Sequence, residues 1–319
     1  MANTAKTLNE VFSSLSARSR YEVWFLRLGL ADGNGAWWIR YLLMNPGRSG
    51  CSRDPQGLPV QVWATWFPAG GQPRTFIRGF PLDLLDLSPR GQSPFHLRVG
   101  DNEIGEDFCH GALDVDGHTI SWDLGYASSF RVTLSAKGWI GFSRTPHSDA
   151  RFSGSITLDG RSFTGSPLGF GVQGHNCGYR HRKFWTWSHA YFAQNDGSAS
   201  TLEALLYDMP LGLVFRKAVL WHGGKRYVIR ALDDMRRNRK YLQWVFRGST
   251  SGGIELQVAL DGGGPGIHRV PYRKTDCSTS FEVVNNSLAS AVLCLRAPGG
   301  QVEKLETHEG AVLEMASSD

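Results

Sequence analysis

The chain has 319 residues, 41% of them hydrophobic and 20% charged. That composition excludes global disorder, and the length suits two domains of ordinary size better than one. A net charge of +5 with an isoelectric point near 9.0 is a mild excess for this length, better read as a solvated surface than as a nucleic-acid footprint.

In chain order, Leu8, Val11, Phe12 and Leu15 stand at helical spacing and predict a short amphipathic helix over residues 8–17. The N-terminus lacks an apolar stretch of signal-peptide length, and no apolar run suffices for a bilayer-crossing helix. Beyond it the pattern is that of strands. Arg20 to Leu30 reads as a strand, and Asp32-Gly33-Asn34-Gly35 is hairpin-turn chemistry. The next strand, Ala36 to Met44, is apolar on both faces, so it is covered on both sides. Val60 to Phe67, Ala112 to Leu124 and Phe152 to Leu158 follow, the last two with Asp116-Gly117 and Asp159-Gly160 as turns. In the second half, Ala218 to Trp221 turns at Gly223-Gly224. Tyr241 to Arg247, Ile254 to Leu260, Phe281 to Val284, Ala291 to Leu295 and a pair around Glu303 and Val312 complete the series. With 38 glycines and 11 tryptophans, short strands and regular turns predict an all-β, antiparallel barrel or sandwich. The basic run Met235 to Lys240 reads as a solvated hairpin tip.

Five cysteines, at 51, 109, 177, 277 and 294, show no CxxC pair and are odd in number. Free, reduced thiols in a cytoplasmic chain are the simplest expectation.

Residues 169–192 differ from the rest. Three histidines, two arginines, two tryptophans and two tyrosines fall within 24 residues. Strand alternation puts Trp185, Trp187 and His189 on one face. Gly174-His175-Asn176-Cys177-Gly178, followed by Phe184-Trp185-Thr186-Trp187-Ser188-His189-Ala190, resembles the central motif of the carotenoid hydratase, tocopherol cyclase and AttH-like group. There a His-Asn-Trp-Gly or Lys-Asn-Trp-Gly element precedes a Trp-x-Trp strand. Tyr21 to Phe25 is similar to that group's Glu-Trp-Trp-Tyr first strand, and Ile120 to Leu124 has a counterpart as well. The resemblance implies two lipocalin-like units, expected over 1–180 and 181–319, with a ligand cavity at or near their interface. Lipocalin-like pericyclases look like more distant relatives. Cys177 departs from the pattern, standing where the group usually has tryptophan.

Hydration or cyclisation of an alkene needs an acid, a dry cavity and π-faces for developing positive charge. Trp24, Trp38, Trp63, Trp122, Trp185 and Trp187 are the candidate ligand walls, with Arg40 and His189. Glu22, Asp123, Glu203 and Asp208 lie in apolar runs and are the candidate acids, since a buried carboxyl stays protonated more readily. Arg40 is an available ion-pair partner for Glu22. His175, Tyr179 and Arg180 are placed to orient a carbonyl or phenol or to stabilise an enolate, and His175 and Asn176, beside glycines, suit a cavity role and satisfaction of backbone groups equally. His175, Cys177, His181 and His189 match no zinc spacing, and no nucleophile elbow, P-loop or dinucleotide fingerprint is present. The expectation is a cofactor-independent enzyme on a hydrophobic isoprenoid or polyene, with no nucleic-acid partner and transient membrane-surface contact for substrate pickup. A non-catalytic isoprenoid carrier and a carbohydrate-binding sandwich are the alternatives.

Overall fold

The computed structural model describes residues 8–135, 141–194 and 197–317. Among them, twelve strands form one antiparallel sheet: β1 (Tyr21–Leu30), β2 (Gly35–Met44), β3 (Val60–Pro68), β4 (Arg74–Phe80), β5 (Leu85–Leu87), β6 (His96–Val99), β7 (Asn102–Gly105), β8 (Phe108–Val115), β9 (His118–Ala127), β10 (Val132–Ser135), β11 (Gly141–Leu158) and β12 (Arg161–Gly178). Ten form a second: β13 (Phe184–Ala193), β14 (Ala199–Asp208), β15 (Val214–His222), β16 (Lys225–Ile229), β17 (Ala231–Asn238), β18 (Gln243–Ser249), β19 (Glu255–Asp261), β20 (His268–Arg273), β21 (Ser280–Arg296) and β22 (Val302–Ser317). The first sheet runs β4-β3-β2-β1-β12-β11-β9-β8-β7-β6-β5, with β10 on β11. The second runs β16-β15-β14-β13-β22-β21-β19-β18-β17, with β20 on β21. The two orders repeat one plan, a meander closed by two long strands returning beside the first.

Alternation explains the layering. Trp37, Ile39, Tyr41 and Leu43 of β2 enter a core inside the first sheet, while Trp38 faces the other way into a cluster shared with the second. The first sheet curls on itself. Tyr41 places its hydroxyl 3.0 Å from the Glu103 carbonyl and 2.9 Å from that of His110, and receives the Trp122 indole N–H. The second sheet has its own core around Trp244, Phe246 and Leu293. Between the sheets, Phe25, Trp38 and Val172 meet Trp187, Leu205, Val219 and Val312. The turns Asp116-Gly117 and Asp159-Gly160 have positive φ at both positions, as type I′ hairpins require.

Polar staples cross this seam. Arg27 of β1 is fully buried and donates to the carbonyls of Ser287, Glu309 (3.0 Å) and Ala311 (3.1 Å). Burial lowers its guanidinium to about 9, so it stays charged at neutral pH. His189 donates Nε2–H to the Ser148 carbonyl at 2.6 Å, and burial lowers its pKa to about 3, leaving it neutral.

Two sequence expectations are corrected. Residues 8–17 form turns and irregular backbone rather than a helix. Their polar groups are engaged by the first sheet: Asn9 exchanges amide hydrogen bonds with Gln173, its carbonyl accepts from Trp24 Nε1, and the amides of Phe12 and Ser13 donate to Glu22. These tertiary bonds override the periodicity. The cysteines are also not all free, for Cys51 and Cys277 form a disulfide joining the loop before β3 to the loop after β20. That removes the basis of the reduced-compartment expectation. Among the described residues no helix is long and apolar enough to cross a membrane. Met235, Arg236, Arg237 and Lys240 are exposed around the β17–β18 turn.

Candidate active site

A cavity of about 170 Å³ opens between the sheets. Strand alternation selects its walls. Tyr21, Val23 and Phe25 of β1 face it, as do Trp38, Arg40 and Leu42 of β2, whereas Glu22 and Trp24 face the first sheet's interior. Trp63 of β3, Trp185 and Trp187 of β13, and Tyr272 of β20 enclose it with aromatic rings. Gly174 and Gly178 of β12 are needed here. A Cβ at either would run into the ring of Phe25 or of Tyr21, so these glycines let cavity-facing aromatics of β1 lie across the neighbouring strand.

The polar centre of this chamber is Arg40 with Glu314. Arg40 Nη2 stands 3.7 Å from Glu314 Oε2, within ion-pair range but beyond a hydrogen bond. The guanidinium carbon sits 4.1 Å from the Trp38 ring centroid and 5.1 Å from that of Tyr272. Burial lowers Arg40 to about 10. Glu314 Oε1 accepts Trp185 Nε1–H at 2.8 Å, and Oε2 has no hydrogen-bond donor. Burial pushes the carboxyl above the usual range, against the pull of Arg40, Trp185 and Asn285. A carboxyl so placed holds its proton more readily and has an oxygen free to deliver it.

The residues expected from sequence divide sharply. Trp38, Arg40, Trp63, Asn176, Trp185 and Trp187 line the cavity, and Asn176 Oδ1 is buried without a partner. The expected acids and His175 do not line it. Glu22 is fully buried, bound by the amides of Phe12 (2.8 Å) and Ser13 (2.6 Å) and by His175 Nε2 (2.8 Å). Burial alone would raise its pKa, but these donors and the adjacent imidazole hold it below the usual value. Glu22 is therefore an ionised anchor for the N-terminal segment, not a proton donor, and its partner is His175 rather than Arg40. His175 Nδ1 bonds the Leu8 carbonyl at 2.7 Å, and its ring stacks on Trp24. Of its two readings, satisfaction of polar groups is the one realised. Asp123 is exposed on the outward face of β9, and Asp208 is half-buried, accepting from the Phe184 amide. Trp24 and Trp122 belong to the first core, His189 to the seam, and Tyr179 is exposed under Arg20. Among the described residues no group of three or more His, Cys, Asp or Glu is arranged to hold a metal.

Glu203 is a separate case. It lies behind Trp187, accepting Trp187 Nε1–H at 3.2 Å and the Thr145 hydroxyl at 2.6 Å, with Oε2 unpartnered. Burial raises it to about 7. Sequence reasoning missed Glu314, although Gly310-Ala311-Val312-Leu313-Glu314-Met315-Ala316 is the same acid-in-an-apolar-run signal that singled out the others. It also missed the cavity-lining His181, stacked on Tyr21 at 4.4 Å and lowered by burial to about 4.

The sequence matches no family model and no curated protein. The fold does have solved counterparts. CghA, determined with Sch210972, is similar with a TM-score of 0.62 at 11% identity, over 94% of this chain and 88% of that one. Kievitone hydratase from Nectria haematococca gives 0.53 at 10% identity, covering 98% and 93%. An AttH-like protein from Nitrosomonas europaea gives 0.50 at 13%, covering 99% and 97%. The chain has the two-unit, lipocalin-like architecture of these proteins.

Proposed function

We propose that the protein is a cofactor-independent cyclase, isomerase or hydratase that holds a hydrophobic isoprenoid or polyene in the aromatic cavity, with Glu314 as its acid. The observation that carries this reading is Glu314 itself: a buried carboxyl, raised by desolvation, with one oxygen free of donors inside an aromatic chamber. Shared architecture with a hydratase and with CghA supports the same class of chemistry.

In a hydration, Glu314 gives its proton to one alkene carbon, water adds to the other, and the water's excess proton returns to the carboxylate. Arg40 favours a double bond conjugated to a carbonyl. A guanidinium beside a full carbocation is repulsive, but it stabilises the oxyanion of an enolate. Cyclisation needs only the donor on the carbonyl and a cavity that folds the chain. General acid catalysis contributes about 10²- to 10⁴-fold.

The test is mass-spectrometric analysis of a mixed panel of polyenes and isoprenoids after incubation with the pure protein. A product of unchanged mass and shifted retention identifies a cyclase or isomerase, and a gain of one water a hydratase. Panel members retained but returned unaltered would replace this reading with the carrier.

A further inference from the structure

The outer part of the cavity differs chemically from its inner part. Trp38, Phe25 and Trp187 are buried at its inner end, whereas Arg180 is exposed and Arg182 and Arg273 are half-buried. Arg180 and Arg182 lie on the connection from β12 to β13, and Arg273 ends β20, so two chain segments bring three solvent-reaching arginines to the cavity lining. With Arg40 further in, the lining holds four guanidinium groups against one carboxyl, Glu314. Arg273 pairs with Asp54 at 3.1 Å, but its Nε is buried with no acceptor. Arg182 stands 4.7 Å from the Tyr207 ring centroid, and no carboxylate pairs with it or with Arg180 among the described residues.

Unpaired positive charge at the rim of an apolar chamber repels itself and focuses its field on the opening. Guanidinium forks match planar oxyanions in two-point hydrogen bonding. We propose that the ligand of this cavity is an amphipathic anion, an apolar unsaturated chain ending in a planar oxyanion such as a carboxylate, with the head group bound by Arg180, Arg182 and Arg273 and the chain directed toward Trp38 and Trp187. This rests on the reading of the cavity as a hydrophobic substrate site and adds the ligand's charge and orientation to it. The rim also gives the entering molecule one direction, tail first, which carries its unsaturated part toward Glu314.

The probe is cis-parinaric acid, a fluorescent polyene carboxylic acid, compared with its methyl ester, which keeps the chain and removes the charge. The expected result is that the acid binds about tenfold more tightly than the ester, as one charge-assisted contact warrants. Added salt should narrow the difference. The R180Q/R182Q double variant, which leaves Arg273 in place, should remove most of the acid's advantage over the ester and leave the ester unchanged. Both side chains reach solvent, and an unchanged melting curve verifies that the variant folds. Equal binding of acid and ester to the unaltered protein, or an acid preference undiminished in the double variant, overturns the anionic head group while leaving the hydrophobic cavity standing. Failure of both probes to bind overturns the cavity reading together with this one.

Discussion

Glu22 and Glu314 are both glutamates in strands, both are buried, and each sits beside a basic side chain and a tryptophan. Glu22 closes the interior of the first sheet. Glu314 faces the cavity between the sheets. Desolvation pushes both carboxyls upward, yet one ends below its usual value and the other above. Donors make the difference. Glu22 receives two backbone amides and an imidazole, each at 2.8 Å or less. Glu314 receives one short indole N–H and a weaker pull from the Asn285 side chain, and its guanidinium neighbour stays beyond hydrogen-bond range. A buried acid becomes chemically available when its surroundings leave one oxygen unsatisfied, and burial alone does not predict that.

Exchanging each acid in turn sharpens this contrast. Glu314→Gln should lower turnover per folded molecule by about 10²- to 10⁴-fold, with at most a modest fall in melting temperature from leaving Arg40 without its carboxylate neighbour. In the unaltered protein turnover should decline as pH rises through the elevated pKa of Glu314. Wild-type turnover in the variant would exclude Glu314 as the acid. Glu22→Ala should do the reverse, costing about 3–5 kcal/mol in denaturant unfolding by stranding His175 and two amides, with catalysis per folded molecule retained. Because the Glu22 pKa is depressed on folding, its stabilisation is present above about 4.5 and is lost as pH falls through the folded value.

Strand patterning was well legible. The two-faced apolar pattern of β2 identified a strand sandwiched between two cores, and Trp185 and Trp187 of β13 line the cavity between the sheets. The acids were not legible, because an apolar run does not say which face a side chain takes. Asp123 alternates with Trp122 and so points outward when Trp122 points in. Glu22 sits within an apolar strand but meets a segment bound to it only in three dimensions. The predicted helix failed for the same reason, since its amides are taken by Glu22. The Cys51–Cys277 pairing spans 226 residues, and five cysteines give no sequence rule for choosing it.

Glu203 extends the comparison to a third buried acid, one that supports a cavity wall without facing the cavity. Its pKa of about 7 lies above the ordinary 4.5, so the stability advantage it gives is complete below about pH 4.5 and is lost as pH rises through about 7. The full change corresponds to about 3 kcal/mol. Glu203→Gln should flatten the stability profile between those limits and keep Trp187 in place. An unchanged slope in the variant would show that another group titrates there.

The smallest expected effect on the folded structure concerns the disulfide. It ties the loop carrying Gln56 to the loop after Tyr272 and Arg273, all three of which line the cavity. The Asp54–Arg273 ion pair and the Asn45 Nδ2–H to Thr275 carbonyl bond of 2.7 Å run beside it. Reducing the bridge, or replacing both cysteines by serine, should cost about 2–4 kcal/mol in global unfolding, mostly by freeing the unfolded chain, while the native sheets stay joined through Arg27 and His189. The cost should fall on the cavity's rim and spare the interior of either sheet. Hydrogen exchange should therefore quicken in residues 45–59 and 272–279 while the amides of β1 and β12, which hold Glu22 and His175, keep their protection. Loss of protection throughout both sheets would mean that the bridge, rather than the packed seam, is what unites the two halves.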